Sequence, residues 1–315
     1  MHAIETAALS KRFRRIHAVE DVTFQVPYGA VYGLMGPNGA GKTTLIKLLM
    51  NLTDPTSGRA VVLGADSSHL RGHRLEPIGY ISENQKQPDW MTAGAFLRYW
   101  RPFYPTWDRD LEDKLVRAFD LPLKQSLRHL SRGVRMKTIL VSVLACRPTL
   151  IVMDEPLGGL DPLVRDDLMA TLLEQRGETT VLISSHDLAE IDSFSTHVGY
   201  MDTGRLRISE PMEDVRARFR RVIVKSPLRL TPPARVPDYW LNFTADNAIA
   251  RWTETDFSDV TSRARARQIF GEVQLYSEPI TLREIFLLLA RPPQAATQEE
   301  EPKPRWQAEE SEAAE

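Results

Sequence analysis

The 315-residue chain predicts an α/β fold built on a parallel sheet, and three segments carry that expectation. Apolar residues 31–35 run into a glycine-rich turn at 36–43, and a helix-forming apolar run at 45–50 follows it. Residues 150–155, Leu-Ile-Val-Met-Asp-Glu, are a short apolar run ending in two carboxylates. Residues 179–186, Thr-Thr-Val-Leu-Ile-Ser-Ser-His, are a β-branched run ending in histidine. Unbroken apolar runs of this length suit strands buried on both faces, and parallel sheets bind their ligands beyond the C-terminal strand ends.

The turn is the most specific of the three. Gly36, Pro37, Asn38, Gly39, Ala40, Gly41, Lys42 and Thr43 complete the pattern G-x-x-x-x-G-K-[ST], with Thr44 next in line. Glycines there let backbone N–H groups converge on phosphates, Lys42 reaches the β and γ phosphates, and the Thr43 hydroxyl can sit on Mg²⁺. The helix N-terminus behind them adds positive potential. The pattern therefore predicts a nucleoside triphosphate site, without naming the enzyme that uses it.

The other two segments supply chemistry at the same sheet edge. Asp154 is expected to hold the metal, and Glu155, at the strand exit, to polarise an attacking water beside the γ-phosphate. Apolar runs ending in Asp-Glu also open helices, an alternative that the run by itself leaves open. His186, delivered at a strand end, is read as a γ-phosphate contact, although a lone histidine is more often structural. Residues 130–133, Leu-Ser-Arg-Gly, open a helical pattern reaching about residue 146, which puts Ser131 at an N-cap with free backbone N–H groups behind it, a second anion site.

With these motifs in this order, residues 1–210 resemble the ATP-binding subunit of ABC transporters. Residues 36–43 match its Walker A motif, 130–133 its signature motif, 150–155 its Walker B motif, Gly159-Leu-Asp161-Pro162 its D-loop, and His186 its switch histidine. The resemblance implies a P-loop NTPase (ABC ATPase) domain with antiparallel β and helical subdomains, ATP and Mg²⁺ as ligands, and Phe13 as the aromatic that stacks on adenine. It also implies that the signature acts in trans. Ser131 and Gly133 of one subunit would close over the γ-phosphate held by Lys42 of another, with Asp161 relaying between sites in a head-to-tail homodimer or paired subunit. Two-fold symmetry satisfies both sites with one sequence.

Some positions depart from the family pattern. Arg132 and Val134 replace the second glycine and the glutamine of the commonest signature, while Ser131 and Gly133 keep the hydroxyl and the close backbone approach. Glu83 stands at the Q-loop glutamine position, where its oxygen can still meet Mg²⁺ or its water at the expense of one more negative charge near the phosphates. Gln85 lies two residues on. Leu157 occupies a place where a small hydroxyl residue is usual. Residues 104–108, residues 121–123 and the signature look like the exporter-type, ABC-2-associated branch.

Composition fits this reading. The length suggests about two domains, and a formal net charge of −2 leaves no electrostatic footprint for nucleic acid. The single cysteine, Cys146, excludes an intramolecular disulfide and is expected to be a buried thiol. No cleavable signal and no apolar run of about 18–20 residues is seen, so a cytoplasmic protein, peripheral at the inner face of the membrane, with a permease in a separate chain is expected. A soluble ABC ATPase acting on nucleic acid or the ribosome is the main alternative; such chains usually carry a coiled-coil insertion or two nucleotide domains. A catalytically silent regulator is disfavoured by intact Lys42, Asp154, Glu155 and His186.

Three regions are expected: an ATP-binding domain over 1–210, with a helical subdomain at about 90–145, a small α+β appendage over 211–291, and a disordered acidic tail over 292–315. Seven aromatics between Trp90 and Trp107 are expected to be mostly subdomain core. Arg263, Arg265 and Arg267 are read as a solvated helical face.

Overall fold

The computed structural model describes residues 1–82, 85–174, 177–187 and 191–290; of Ala290 it describes the backbone alone. Two compact units divide at Val215 and Arg216.

The first unit is built on two sheets. One is largely antiparallel. Strands β1 (His2–Phe13), β2 (Ile16–Val22), β3 (Gln25–Pro27), β5 (Ser57–Val62) and β6 (Ala65–Asp66) take the order β2-β1-β5-β6, with β3 also on β1. The other has the order β11-β10-β4-β9-β8-β7. It comprises β4 (Val31–Met35), β7 (Ile78–Ser82), β8 (Leu150–Asp154), β9 (Thr180–Ser185) and β10 (His197–Asp202), all parallel, closed by antiparallel β11 (Arg205–Pro211). Every residue of β4, β8 and β9 is buried, which is why their sequences are mainly apolar rather than alternating, with polar residues only at the ends of β8 and β9.

Register then fixes where the site lies. Met35 pairs with Ser185, Asp154 with Ser184, and Ser82 with Asp154. The C-terminal ends of β4, β9, β8 and β7 are thus one edge, and β4 leads there into helix α1 (Lys42–Leu49).

A helical layer intervenes between β7 and β8. Helix α2 (Ala93–Trp100) is capped by Thr92, which accepts from the Ala95 N–H at 3.2 Å, and α3 (Arg109–Ala118) by Asp108, which accepts from Leu111 N–H at 2.9 Å. Helix α4 (Arg132–Leu144) follows, then α5 (Pro162–Glu174) after β8. The buried Glu112 carboxylate is fully engaged: Arg101 donates to it twice, at 3.0 and 2.8 Å, and Trp107 Nε1 donates at 2.8 Å. The aromatics here differ from expectation. Phe96 is buried, but Trp90, Tyr99 and Phe103 are exposed: α2 turns a narrow face of Ala93, Gly94, Phe96 and Leu97 inward and Tyr99 falls off it, while Trp90 and Phe103 lie in the turns before and after α2. Within this unit a cavity of about 270 Å³ is lined by Met50, Leu52, Tyr80, Phe96, Trp100 and Ile139, among others. Cys146 is buried, and burial pushes its thiol up to about 12.

Helix α6 (Met212–Arg218) spans the division between units. The second unit is a four-stranded antiparallel sheet, β13-β14-β12-β15, formed by β12 (Arg220–Lys225), β13 (Trp240–Asp246), β14 (Ile249–Glu254) and β15 (Gln274–Pro279). Helices α7 (Asp259–Phe270) and α8 (Leu282–Ala290) complete it. Its core centres on Trp240 and Trp252, stacked at 4.0 Å. The arginine run on α7 is not simply solvated. Arg265 donates at 3.2 Å to Glu254, a fully buried carboxylate that also accepts from Ser262 Oγ and Trp252 Nε1, while Arg263 pairs with Asp259. A buried carboxylate requires such partners, and α7 is the element beside it that supplies them. The expected tail at 292–315 lies outside the described residues.

Candidate functional site

The turn after β4 is held open by two glycines that no other residue could replace without displacement. Gly36 has φ +151°, and a Cβ on it would lie 2.2 Å from the Met201 carbonyl oxygen; Gly41 has φ +104°, and its Cβ would lie 2.1 Å from the Ala18 carbonyl oxygen. Backbone conformation and space both demand glycine there. Because Ala18 is in β2, the β1–β2 hairpin runs against this turn at Gly41, and Phe13 pairs with Ile16 at the tip of that hairpin. The Phe13 ring is half exposed and lies under the Lys11 ammonium at 5.0 Å.

Lys42 is buried at the start of α1, and its ammonium donates to the carbonyl oxygen of Gly36 at 2.6 Å and of Pro37 at 3.3 Å. It also meets Glu155 Oε1 at 3.1 Å. Glu155 Oε2 in turn lies 2.7 Å from His186 Nδ1. Glu155 takes a left-handed backbone, φ +52°, directly after β8, a costly conformation for a non-glycine residue that turns it out of the strand line. Burial works to raise its carboxyl, but the hydrogen bond with His186 and the charge and hydrogen bond of Lys42 outweigh it and hold the group below the ordinary glutamate value.

Asp154, the last residue of β8, is 4% exposed. Its Oδ1 accepts from Thr43 Oγ1 at 3.0 Å and from Ser184 Oγ at 2.9 Å. A buried carboxylate beside a threonine hydroxyl is a pair of hard oxygen donors, the chemistry that suits Mg²⁺, which keeps several ligands for water and phosphate. Among the described residues there is no group of three or more His, Cys, Asp or Glu side chains that could hold a metal ion.

The structure thus gathers Lys42, Thr43, Asp154, Glu155 and His186 at one edge. Ser131 and Gly133 sit elsewhere. Ser131 caps α4, accepting from the Val134 N–H at 3.3 Å, and Gly133 is buried against Val164. Asp161 accepts from the Leu163 N–H at 2.9 Å at the start of α5. Pro37, Asn38, Gly39, Ala40 and Thr44 belong to the turn and its helix. Glu83 lies outside the described residues.

Ser184 escaped the sequence reading. Its hydroxyl donates to Asp154 and accepts from the Glu155 N–H at 3.0 Å, so one buried side chain braces both carboxylate residues. The available signal was a hydroxyl residue ending an otherwise apolar strand.

A glycine-framed lysine turn and a strand-end carboxylate pair on a parallel sheet define a P-loop nucleotide-hydrolysing domain. Residues 19–158 match the ABC transporter family. The uncharacterized ABC transporter ATP-binding protein YcbN of Bacillus subtilis is 31% identical over 223 residues, 69% of this chain and 72% of that protein. The probable multidrug ABC transporter ATP-binding protein YbhF of Escherichia coli is also 31% identical, over 68% of this chain but only 38% of its own length. A solved ATP-binding subunit of an ABC transporter superposes with TM-score 0.62 at 28% identity, covering 68% of this chain and 92% of that one. A dimeric ATP-binding cassette solved with ADP and Pi has the same fold, with TM-score 0.59 at 20% identity over 66% of this chain and 98% of its own. The chain belongs to the ABC transporter ATP-binding proteins and is an ATPase.

Proposed function

We propose that this subunit powers an exporter by closing a head-to-tail dimer around two ATP molecules at the cytoplasmic face of the membrane and reopening after hydrolysis. One observation carries the reading: Glu155 bridges Lys42 and His186, while the Ser131 cap of α4, the expected second anion site, lies on a separate element of the same unit. One chain then offers two half-sites, and a second copy or paired subunit completes both.

In the assembled site the N–H groups of Gly36 and of residues 38–44, with the Lys42 ammonium, hold the phosphates around the Pro37 turn, and Phe13 stacks on adenine. Thr43 and Asp154 hold Mg²⁺, which supplies charge neutralisation of the phosphates. Glu155 accepts the proton of the attacking water, and His186 orients Glu155 and the γ-phosphate. Ser131 and Gly133 of the partner copy close over that phosphate, with Asp161 between the two sites. Glu83 is the proposed additional metal contact.

The pumped path belongs to a permease in another chain. Among the described residues no helix is long and apolar enough to cross a membrane. The 270 Å³ cavity suits a cytoplasmic helix of that permease: it is apolar, exposed Leu52 and Leu75 edge it, and Trp100 Nε1 is buried without a hydrogen-bond partner among the described residues. The name of the Escherichia coli relative supports an export direction.

The test is Glu155→Gln. Loss of the base should slow hydrolysis by about 100-fold or more while ATP binding persists, so the variant should elute as a dimer when ATP and Mg²⁺ are present. A strictly monomeric, fully active variant contradicts the proposal.

A further inference from the structure

The signature turn carries an arginine, and the structure gives that side chain a specific seat. Gly159 has φ +67°, a backbone that favours glycine, and a Cβ on it would lie 2.8 Å from Arg132 Nη1 and 3.4 Å from Arg132 Cζ. The guanidinium therefore rests on the bare Cα of Gly159. The next residue, Gly133, is itself closely approached: a Cβ on it would lie 3.0 Å from Val164 Cγ1. Two consecutive signature residues thus touch the two ends of the segment 159–164, which holds Asp161.

This segment has little slack. Leu157 and Leu160 are buried on either side of Gly159. Asp161 is tied to α5 by its carboxylate, which accepts from the Leu163 N–H, and by its carbonyl, which accepts from the Arg165 N–H at 3.0 Å. Upstream, the chain reaches Glu155 within four residues.

We propose that Arg132 is a positioning residue that fastens the signature turn to the Gly159 turn, so that engagement of one ATP by Ser131 and Gly133 sets Asp161 and Glu155 for hydrolysis of the other. The inference rests on the two-site dimer proposed above. Lysine keeps the charge and loses the flat guanidinium that lies against Gly159, so Arg132→Lys separates the two contributions.

The experiment compares Arg132→Gly, Arg132→Lys, Gly159→Ala and the Arg132→Gly/Gly159→Ala double variant with the unaltered protein, reading ATPase rate against ATP concentration. Arg132→Gly should keep KM within about twofold, lower kcat by about tenfold and reduce the Hill coefficient toward 1. Arg132→Lys should be impaired similarly. The double variant should lose less than the product of the two single losses, because removing the guanidinium relieves the clash that an alanine at 159 creates. A kcat unchanged in Arg132→Gly, full recovery in Arg132→Lys, or multiplicative losses in the double variant each overturn the proposal. If Arg132→Gly does not fold, the lysine variant alone decides. A protein that turns over ATP and dimerises as Glu155→Gln, yet is insensitive at Arg132, refutes this inference and leaves the dimer reading standing; failure to dimerise refutes the dimer.

Discussion

Ser184→Ala removes a single hydroxyl that holds two carboxylate residues in place. The Oγ is buried, donates to Asp154 at 2.9 Å and accepts from the Glu155 N–H at 3.0 Å. A hydrogen bond to a charged group contributes about 1.5–3 kcal/mol, and an orphaned buried donor costs about 1–3 kcal/mol. The two effects do not add in full. Asp154 Oδ1 keeps its Thr43 partner at 3.0 Å, and the Glu155 N–H, at the strand exit, can recover part of its loss by a small backbone shift. About 2–3 kcal/mol of destabilisation is the net expectation. That shift would relax the left-handed φ of Glu155 and move its carboxylate away from Lys42 and His186, so kcat should fall about 10–100-fold, corresponding to about 1.4–2.7 kcal/mol, with KM for ATP changed little. Denaturant unfolding and steady-state ATPase kinetics on the same preparation check both numbers. A variant within about 0.5 kcal/mol of the parent and with the same kcat would refute the bracing role, whereas a Ser184→Thr variant that restores activity would support it.

Glu112→Ala leaves the Arg101 guanidinium and Trp107 Nε1 without their acceptor inside the helical layer, and should cost about 2–4 kcal/mol in denaturant unfolding while sparing ATP binding. The Glu155 carboxyl is held below its ordinary value in the folded state, so its contribution to stability is present above the unfolded value of about 4.3 and is lost as pH falls through the lower folded value. The stability difference between the unaltered protein and Glu155→Gln, followed by denaturation midpoints from pH 7 down to 3, should therefore shrink on acidification; a difference that grows would contradict the sign.

Local chemistry was the legible part of this sequence. The strand, turn and helix around Gly36 and Lys42 are contiguous, and the glycine demands at 36 and 41 leave a direct mark on composition. Asp154 and Glu155 were visible for the same reason, as a carboxylate pair closing an apolar run. Ser184 was not, because its value depends on a register between β8 and β9 that places it opposite Asp154, and nothing within residues 179–186 announces that pairing. In the second unit, β15 carries Gln274, Ser277 and Glu278 and buries only Leu275, so its sequence marks no strand and its place in the sheet comes from pairing with β12. Arg265 looks like one charge in a solvated run until Glu254, brought beside it by the fold, turns out to be fully buried. The exposed Tyr99 escaped because aromatic type predicts burial, while helical phase decides which side is inward; Trp90 and Phe103 lie outside α2, in the turns before and after it.

The central claim is that the ammonium of Lys42, buried under the glycine turn and aimed at Glu155, holds the phosphates during hydrolysis. Its most direct test is the ATP turnover of purified Lys42→Ala beside the unaltered protein, with a thermal melt of each to confirm folding. Positioning and electrostatics account for most of phosphoryl-transfer catalysis, so turnover should be abolished while the fold survives. A folded Lys42→Ala that hydrolyses ATP at the unaltered rate would contradict the assignment of the site.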